Sequence, residues 1–207
     1  MTRLPEDLEA RLRAAASGEI GFTSSSNAKG VSTAWCELAD KADLVPVARL
    51  LKEMGARLST ISAFQPQPVE PDDDDDEDDD DDDGEEEEDP PPPTSLGGVV
   101  IDGKSYEIAY HFDLDGNTLT LLLFLPVDAG VVDSLTPLFR TADWTEREMM
   151  EVYNIRVTGH PNPRRLFIDE SVEPAVLERL IPFSTLVNAA STRELWEKIL
   201  ATKGNAA

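Results

Sequence analysis

The chain has 207 residues, a length typical of one domain with flanking tails. Lys and Arg total 18 against 42 Asp and Glu, which gives a formal net charge of −24. Glu70–Asp89 contains 18 of these acids and no base, and the 24 acids elsewhere stand against 18 bases, a balance of −6. No basic stripe is evident that could bind phosphates, so the composition argues against nucleic acid as a partner.

Cysteine content and hydropathy restrict the chain further. Cys36 is the single cysteine, which excludes an internal disulfide and a cysteine-ligated zinc or iron–sulfur centre held by this chain alone, and favours a reducing compartment. Met1–Asp7 lacks the apolar core of a secretory signal. The longest apolar run, Leu119–Val127, is interrupted by Thr120 and Pro126 and falls short of the ~20 residues that span a bilayer. We therefore expect membrane contact only through partners.

Three elements are predicted before residue 40. Leucines at helical spacing predict a short helix over Glu6–Ala16. Gly18 and the polar run Thr23–Asn27 end it and predict a loop. Val31–Leu38 is predicted as a strand.

A second helix is predicted to follow, with Asp40 or Asp43 as its N-cap. Its apolar residues recur every three or four positions and share one face: Leu44, Val47, Ala48, Leu51 and Met54. Gly55 is expected to end this helix. Arg57–Phe64 alternates in polarity and predicts another strand.

Residues 66–95 hold the acidic run and four consecutive prolines. Such a segment repels itself and buries no apolar surface, so we predict a disordered loop insertion. It has three interpretations: a solvating spacer, an arm that binds a basic partner, or a weak calcium sink. A Ca²⁺ site requires ligands on a defined loop, which an aspartate homopolymer does not provide.

A hairpin is predicted after the insertion. Lys104–Leu114 and Thr118–Leu125 are β-rich, and Asp115–Asn117 between them is a turn sequence. Val127–Phe139 is predicted as extended chain, with Pro137 forbidding a central position in a sheet.

The remaining elements are mainly helical. Thr141–Val152 is predicted as a charged helix, Gly159–Pro163 as a turn and Arg165–Ile168 as a short strand. Glu173–Leu180 and Thr192–Leu200 are predicted as C-terminal helices.

The order of elements predicts an α+β fold, with a mostly antiparallel sheet and helices on one face. We divide the chain into an N-terminal segment with a short helix (residues 1–30), an α+β domain containing the disordered insertion (31–170) and a C-terminal helical extension (171–207).

Residues capable of catalysis are sparse. His111 lies in a predicted strand and is interpreted as structural or exposed, and His160 as a residue that bonds its own turn or an interface. Phosphate-binding loops and nucleophile motifs are missing from the sequence. Glu146 and Glu148 are two apart on a helix, so they point away from each other and cannot share a substrate. We place them in the first helical turn and, with Arg147, interpret them as interface ion pairing.

Several uncommon motifs occur here in a fixed order: Trp144, Glu146–Glu148 (Glu-Arg-Glu), Glu151–Ile155, Gly159–Pro161 (Gly-His-Pro) and Arg164–Leu166 (Arg-Arg-Leu). Their order and spacing resemble the 30 kDa subunit of NADH–quinone oxidoreductase (respiratory complex I) and its relative in membrane-bound energy-converting nickel–iron hydrogenases. The resemblance covers roughly residues 33–170, apart from the acidic insertion.

The resemblance implies a structural subunit with no catalytic residue, cofactor or metal of its own. It implies a peripheral position on the cytoplasmic side of a membrane, against a large catalytic subunit and a small iron–sulfur subunit. The residues then expected to bind partners are Trp144, Glu146, Arg147, Glu148, His160, Pro161, Arg164 and Arg165.

The chain also departs from the complex I pattern. Glu151–Ile155 has Asn154 where the family usually has glycine, and Asn154 can adopt the left-handed conformation that the turn needs. Pro163 is unusual, and Pro182–Thr185 with a Trp196 helix resembles the hydrogenase-type branch. We therefore favour a hydrogenase-type complex. The alternatives are the 30 kDa subunit of a true complex I, or a free acidic regulator that binds a basic partner.

Overall fold

The computed structural model describes residues 4–66 and 104–171. The chain comprises two compact units, residues 1–167 and 168–207, and all helices and strands of the described residues lie in the first. In the second unit, Asp169 accepts hydrogen bonds from the backbone and hydroxyl of Ser171. Nearly all of the predicted insertion at 66–95 and of the C-terminal extension, with its two predicted helices, lies outside the described residues.

Three helices and seven strands make up the described part of the first unit. The helices are α1 (Leu8–Ala15), α2 (Leu44–Glu53) and α3 (Ala142–Val152). The strands are β1 (Ile20–Ser26), β2 (Ser32–Leu38), β3 (Arg57–Phe64), β4 (Ser105–Leu114), β5 (Asn117–Pro126), β6 (Val131–Asp133) and β7 (Arg156–Thr158). Short 3-10 turns cover Lys41–Asp43 and Val127–Ala129.

Five strands form one mixed sheet in the order β1-β2-β5-β4-β3. The pairs β1–β2, β4–β5 and β3–β4 are antiparallel, and β2–β5 is parallel, with Thr33 opposite Thr118 and Leu38 opposite Leu123. β6 and β7 form a separate parallel pair. The predicted α+β class with a mostly antiparallel sheet is therefore confirmed.

The main core lies between the helices and one face of the sheet. α2 buries Leu44, Val47, Ala48 and Leu51, four of the five residues predicted to form its apolar face. Buried strand side chains belong to the same core, among them Ala34 and Cys36 of β2 and Leu121 and Leu123 of β5. Burial raises the pKa of the Cys36 thiol to about 12 and thus keeps it protonated. No helix in the described ranges is long and apolar enough to cross a membrane.

The two aspartates before α2 have different roles. Asp40 caps the 3-10 turn, accepting from the Ala42 N–H at 2.8 Å. Asp43 does not cap α2 with its side chain. Its carboxylate instead accepts from the N–H and hydroxyl of Ser17 at 2.8 and 2.7 Å and from the N–H of Gly18 at 2.9 Å. Asp43 therefore joins the end of α1 to the start of α2.

The turn between β4 and β5 has two residues, whereas the sequence predicted three, Asp115–Asn117. Leu114 pairs with Asn117, so the loop consists of Asp115 and Gly116, with φ of 55° and 83°. Positive φ at both positions is characteristic of the type I′ turn, one of the two common two-residue hairpin turns. The Asn117 side chain also accepts from the Ser32 N–H at 2.9 Å, which ties the start of β2 to this turn.

Three predicted elements differ in the structure. The polar run Thr23–Asn27, predicted as a loop, is mostly strand β1. Arg165–Ile168 is not a strand, and the short strand in this region is β7 at Arg156–Thr158. Val127–Phe139 is extended only at β6. β1 is extended because it pairs with β2 along its whole length, whereas residues 165–167 bond to side chains of α3 instead of to a strand.

Candidate docking site

Helix α3 carries four of the eight predicted partner-binding residues and distributes them over different sides. Ala142, Glu146 and Met149 are buried against the fold. Trp144, Arg147 and Glu151 follow one another at spacings of three and four residues, so they share another side. The helix begins at Ala142, which places Glu146 in the second turn and not in the first, as the sequence had suggested.

The exposed side of α3 holds the backbone of residues 164–167, an arrangement we call the clasp. The Arg147 guanidinium donates through Nε to the Arg164 carbonyl at 2.7 Å and through Nη2 to the Arg165 carbonyl. Oε2 of Glu151 accepts from the N–H of Leu166 at 2.6 Å and of Phe167 at 2.8 Å. Four successive residues without regular secondary structure are thus fixed by two side chains of one helix.

Glu146 is 1% exposed and satisfied within the chain. Its carboxylate accepts from the Ser134 hydroxyl at 2.6 Å, the Leu135 N–H at 2.5 Å and the Thr136 hydroxyl at 2.7 Å. Burial, and secondarily the Glu146 charge, raises the pKa of buried Tyr110. The Glu146 carboxylate therefore organises residues 134–136 beneath the helix, whereas the sequence had placed it in an ion pair at an interface.

His160 bonds its own turn, as predicted. Its Nδ1 accepts from the Asn162 N–H at 3.0 Å, which leaves the proton of the neutral ring on Nε2. Nε2 lies 3.2 Å from the Asp143 carboxylate and 3.7 Å from that of Glu146, and the side chain is fully buried. His160 therefore fastens the turn after β7 to the N-terminal part of α3.

The other predicted residues are at or near the surface. Trp144 is 68% exposed. Arg164 is exposed and donates to the Asn162 side chain at 3.0 Å, while Arg165 and Glu148 are half-buried and Pro161 is exposed. Phe167, which the sequence interpretation missed, is 60% exposed at the end of the clasped segment. An aromatic residue that follows a turn and a pair of arginines was the available signal.

Asn154 has φ of 55°, so it takes the left-handed conformation predicted for it after α3. His111 is half-buried in β4, 3.0 Å from the Thr120 hydroxyl, and burial lowers its pKa. The described residues contain no group of three or more His, Cys, Asp or Glu side chains that could hold a metal ion.

Comparison with known proteins identifies the family. Residues 38–182 match the family described as respiratory-chain NADH dehydrogenase, 30 Kd subunit, and the chain belongs to it. The C subunit of the NADH-quinone oxidoreductase of Mesorhizobium japonicum is 32% identical over 85 residues, 41% of this chain and 42% of that protein. The J subunit of the NAD(P)H-quinone oxidoreductase of a Synechococcus species is 54% identical over 39 residues, 19% of this chain and 22% of that protein. The chain thus spans less than half the length of either relative.

Among solved structures, a trypsin-resistant fragment of Nqo5 is 19% identical and has a TM-score of 0.47, covering 76% of this chain and 97% of the fragment. A membrane-bound sulfane sulfur reductase, an archaeal respiratory membrane complex, contains a chain that is 10% identical with a TM-score of 0.45, covering 84% of this chain and 82% of that one.

Proposed function

We propose that this chain is a non-catalytic docking subunit in the peripheral arm of a membrane-bound oxidoreductase. It packs against a large catalytic subunit and a small iron–sulfur subunit, and it meets the membrane only through partner subunits, on the cytoplasmic side. Residues 31–170 form the docking domain, residues 1–30 precede it and residues 171–207 extend it. Family membership and the names of the relatives support this assignment.

The observation that carries the proposal is the exposure of Trp144, 68%, on the side of α3 that holds the clasp. Phe167, the last residue of the clasped segment, is 60% exposed. The binding energy of protein interfaces is concentrated in a few aromatic and arginine side chains. Trp144, Phe167 and the exposed Arg164 supply side chains of these types.

The clasp explains how an irregular segment serves as an interface. A segment that is ordered only on binding loses conformational entropy at that moment, which weakens affinity. Arg147 and Glu151 fix the backbone of residues 164–167 before any partner arrives. Arg147 thereby acts within the chain and positions its neighbours, so direct partner contacts fall to Trp144, Arg164 and Phe167.

The experiment is co-purification of the large subunit with variants of this chain after co-expression of the neighbouring genes. Trp144→Ala and Phe167→Ala are each expected to weaken retention, by about 2 kcal/mol if they are interface hot spots. The matched control is Phe64→Ala, which removes a 41% exposed aromatic side chain from β3. Equal retention of all three variants, with loss on deletion of residues 71–93, would replace the docking proposal with the acidic-regulator alternative.

The kind of complex has two candidates, each supported by a separate observation. The names of the curated relatives favour a quinone oxidoreductase of the complex I type. The ending of the sequence, Pro182–Thr185 followed by Trp196, resembles the hydrogenase-type branch and favours an energy-converting hydrogenase. Sequencing the large subunit that co-purifies decides between them, because four cysteine ligands mark a nickel-binding subunit and are missing from a quinone-type one.

A further inference from the structure

Strand β1 lies at one end of the five-stranded sheet and, among the described residues, pairs only with β2. The Glu19 carbonyl accepts from the Ala39 N–H, and the Val31 carbonyl accepts from the Asn27 N–H. These two bonds at the ends of the ladder identify the hydrogen-bonded residue pairs between β1 and β2. Because such pairs alternate in an antiparallel ladder, the backbone groups of Gly21, Thr23 and Ser25 face β2. Those of Ile20, Phe22, Ser24 and Ser26 point outward, away from the sheet.

The opposite edge of the sheet is protected. The register of β3 against β4 is irregular between Leu58 and Thr60, and such irregularities discourage further pairing. The Thr141 hydroxyl, beside α3, also donates to the Leu58 carbonyl at 2.9 Å. The outer edge of β3 is therefore irregular and partly covered by residues of the same chain.

Within residues 4–66 and 104–171, β1 has none of these protections. Its sequence, Ile-Gly-Phe-Thr-Ser-Ser-Ser, holds no charge and no proline, and its seven residues pair with β2 in unbroken register. Thr23, Ser24, Ser25 and Ser26 are exposed. Exposed edges of this kind pair readily with another strand, so natural proteins usually block them or use them for binding.

Gly21 adds a specific chemical preference. Glu37 of β2 is its cross-strand partner, and a Cβ built on Gly21 would lie 3.4 Å from the Glu37 Cβ and 3.7 Å from Oε2. A strand added beside β1 would have no side chain between itself and this half-buried carboxylate. A lysine or arginine opposite Gly21 reaches across the glycine to Glu37.

We propose that the outer edge of β1 receives an extended strand from a partner subunit, hydrogen-bonded to Phe22, Ser24 and Ser26, with a cationic side chain directed at Glu37. This rests on the proposed docking function and adds a second contact, separate from α3. A second copy of this chain is a poor occupant, because two chains of net charge −24 repel each other and β1 contains no cation.

Hydrogen exchange of the isolated full chain and of the assembled complex, resolved by residue, tests the proposal. Assembly is expected to slow exchange of the Phe22, Ser24 and Ser26 amides about tenfold or more, whereas Thr23 and Ser25 are already protected by β2 in the isolated chain. Unchanged outward amides in the assembled complex would overturn the proposal. Protection that appears in the isolated chain as its concentration rises would also overturn it, in favour of self-pairing.

A pair of variants gives an independent measurement. Ser24→Pro removes an outward N–H without breaking the β1–β2 ladder, and Ser24→Ala keeps that N–H. The proline variant is expected to lose retention in the complex at least tenfold relative to the alanine variant, and equal retention would count against the strand. Glu37→Gln should weaken retention about two- to fivefold, as for a surface ion pair. If β1 variants assemble normally while Trp144→Ala does not, docking through α3 stands and the edge contact fails.

Discussion

Arg147 and Glu151 lie one helical turn apart on α3 and bind consecutive peptide groups of one segment, residues 164–167. The Arg147 guanidinium donates to the carbonyls of residues 164 and 165, and the Glu151 carboxylate accepts from the N–H groups of residues 166 and 167. The donor side chain thus faces backbone acceptors and the acceptor side chain faces backbone donors. Exchanging the two side chains would place donor against donor and acceptor against acceptor.

Arg147→Lys is expected to loosen the clasped segment while leaving the rest of the fold intact. Lysine cannot reproduce a planar fork to two carbonyls. Because the guanidinium is partly exposed, the free energy of unfolding should fall by only about 1 kcal/mol. Urea denaturation measures this change, and hydrogen exchange at Leu166 and Phe167 should become faster.

Arg49→Lys is the matched control, since Arg49 is an exposed arginine on α2. It should leave the unfolding midpoint and the exchange rates at residues 166 and 167 unchanged. If Arg147→Lys matches this control in both measurements, the clasp does not hold the segment in solution.

Glu146→Ala is expected to destabilise the fold severely. The substitution leaves three buried donors, on Ser134, Leu135 and Thr136, without their acceptor. A loss of about 3 kcal/mol or more in the free energy of unfolding follows from such unsatisfied groups. Glu148→Ala, on the same helix and half-buried, should stay within about 1 kcal/mol. Similar losses for both substitutions would show that Glu146 has no special role.

Asp43 should make stability depend on pH in the acidic range. The Ser17 N–H, and then the Ser17 hydroxyl and Gly18 N–H, hold the pKa of this carboxyl below its ordinary value of 3.8. A depressed folded pKa means that the stabilisation is complete above pH 3.8 and is lost as the pH falls through the folded value. Asp43→Asn should cost about 2 kcal/mol at pH 7 and progressively less below pH 3.8.

Urea midpoints of wild type and Asp43→Asn over this pH range measure the effect. Asp40→Asn provides the comparison, because Asp40 is exposed and caps a single turn. A difference between wild type and Asp43→Asn that stays constant down to pH 2 would contradict the assignment.

Deleting residues 71–93 is expected to leave the fold stable. β3 and β4, which flank this segment, pair from Arg57 with Asp113 to Phe64 with Glu107. Shortening a loop between strands that are already paired changes the closure entropy only slightly. Calorimetry should find a shift in the unfolding midpoint of less than about 5 °C. A larger drop would mean that the deleted residues stabilise the fold by packing.

The sequence predicted the elements that are specified by residues close to one another in the chain. The apolar spacing of α2 specified its buried face, and the Asp115–Gly116 turn specified the β4–β5 hairpin. Asn154 was also predictable, because few residues other than glycine accept its φ of 55°. These signals depend on neighbours within a few positions.

Features that depend on distant partners were not predictable. β1 has little apolar alternation, since only Ile20 and Phe22 face the core, so its serines indicated a loop. The parallel pairing of β2 with β5 joins residues about 85 positions apart and leaves no local trace. The clasp was not predictable, because Arg147 and Glu151 bind backbone groups of residues 164–167 and backbone groups carry no sequence signal.

The parallel pairing of β2 and β5 bears on the speed of folding. β1–β2 and β4–β5 are local hairpins, whereas β2–β5 and β3–β4 close only after the chain has brought together residues on either side of positions 67–103. Distant contacts of this kind slow the search for the native state. Each halving of a connecting loop lowers the closure free energy by about 0.6 kcal/mol, which corresponds to roughly a threefold rate change at most. Shortening the acidic segment should therefore increase the refolding rate and leave the unfolding rate nearly unchanged.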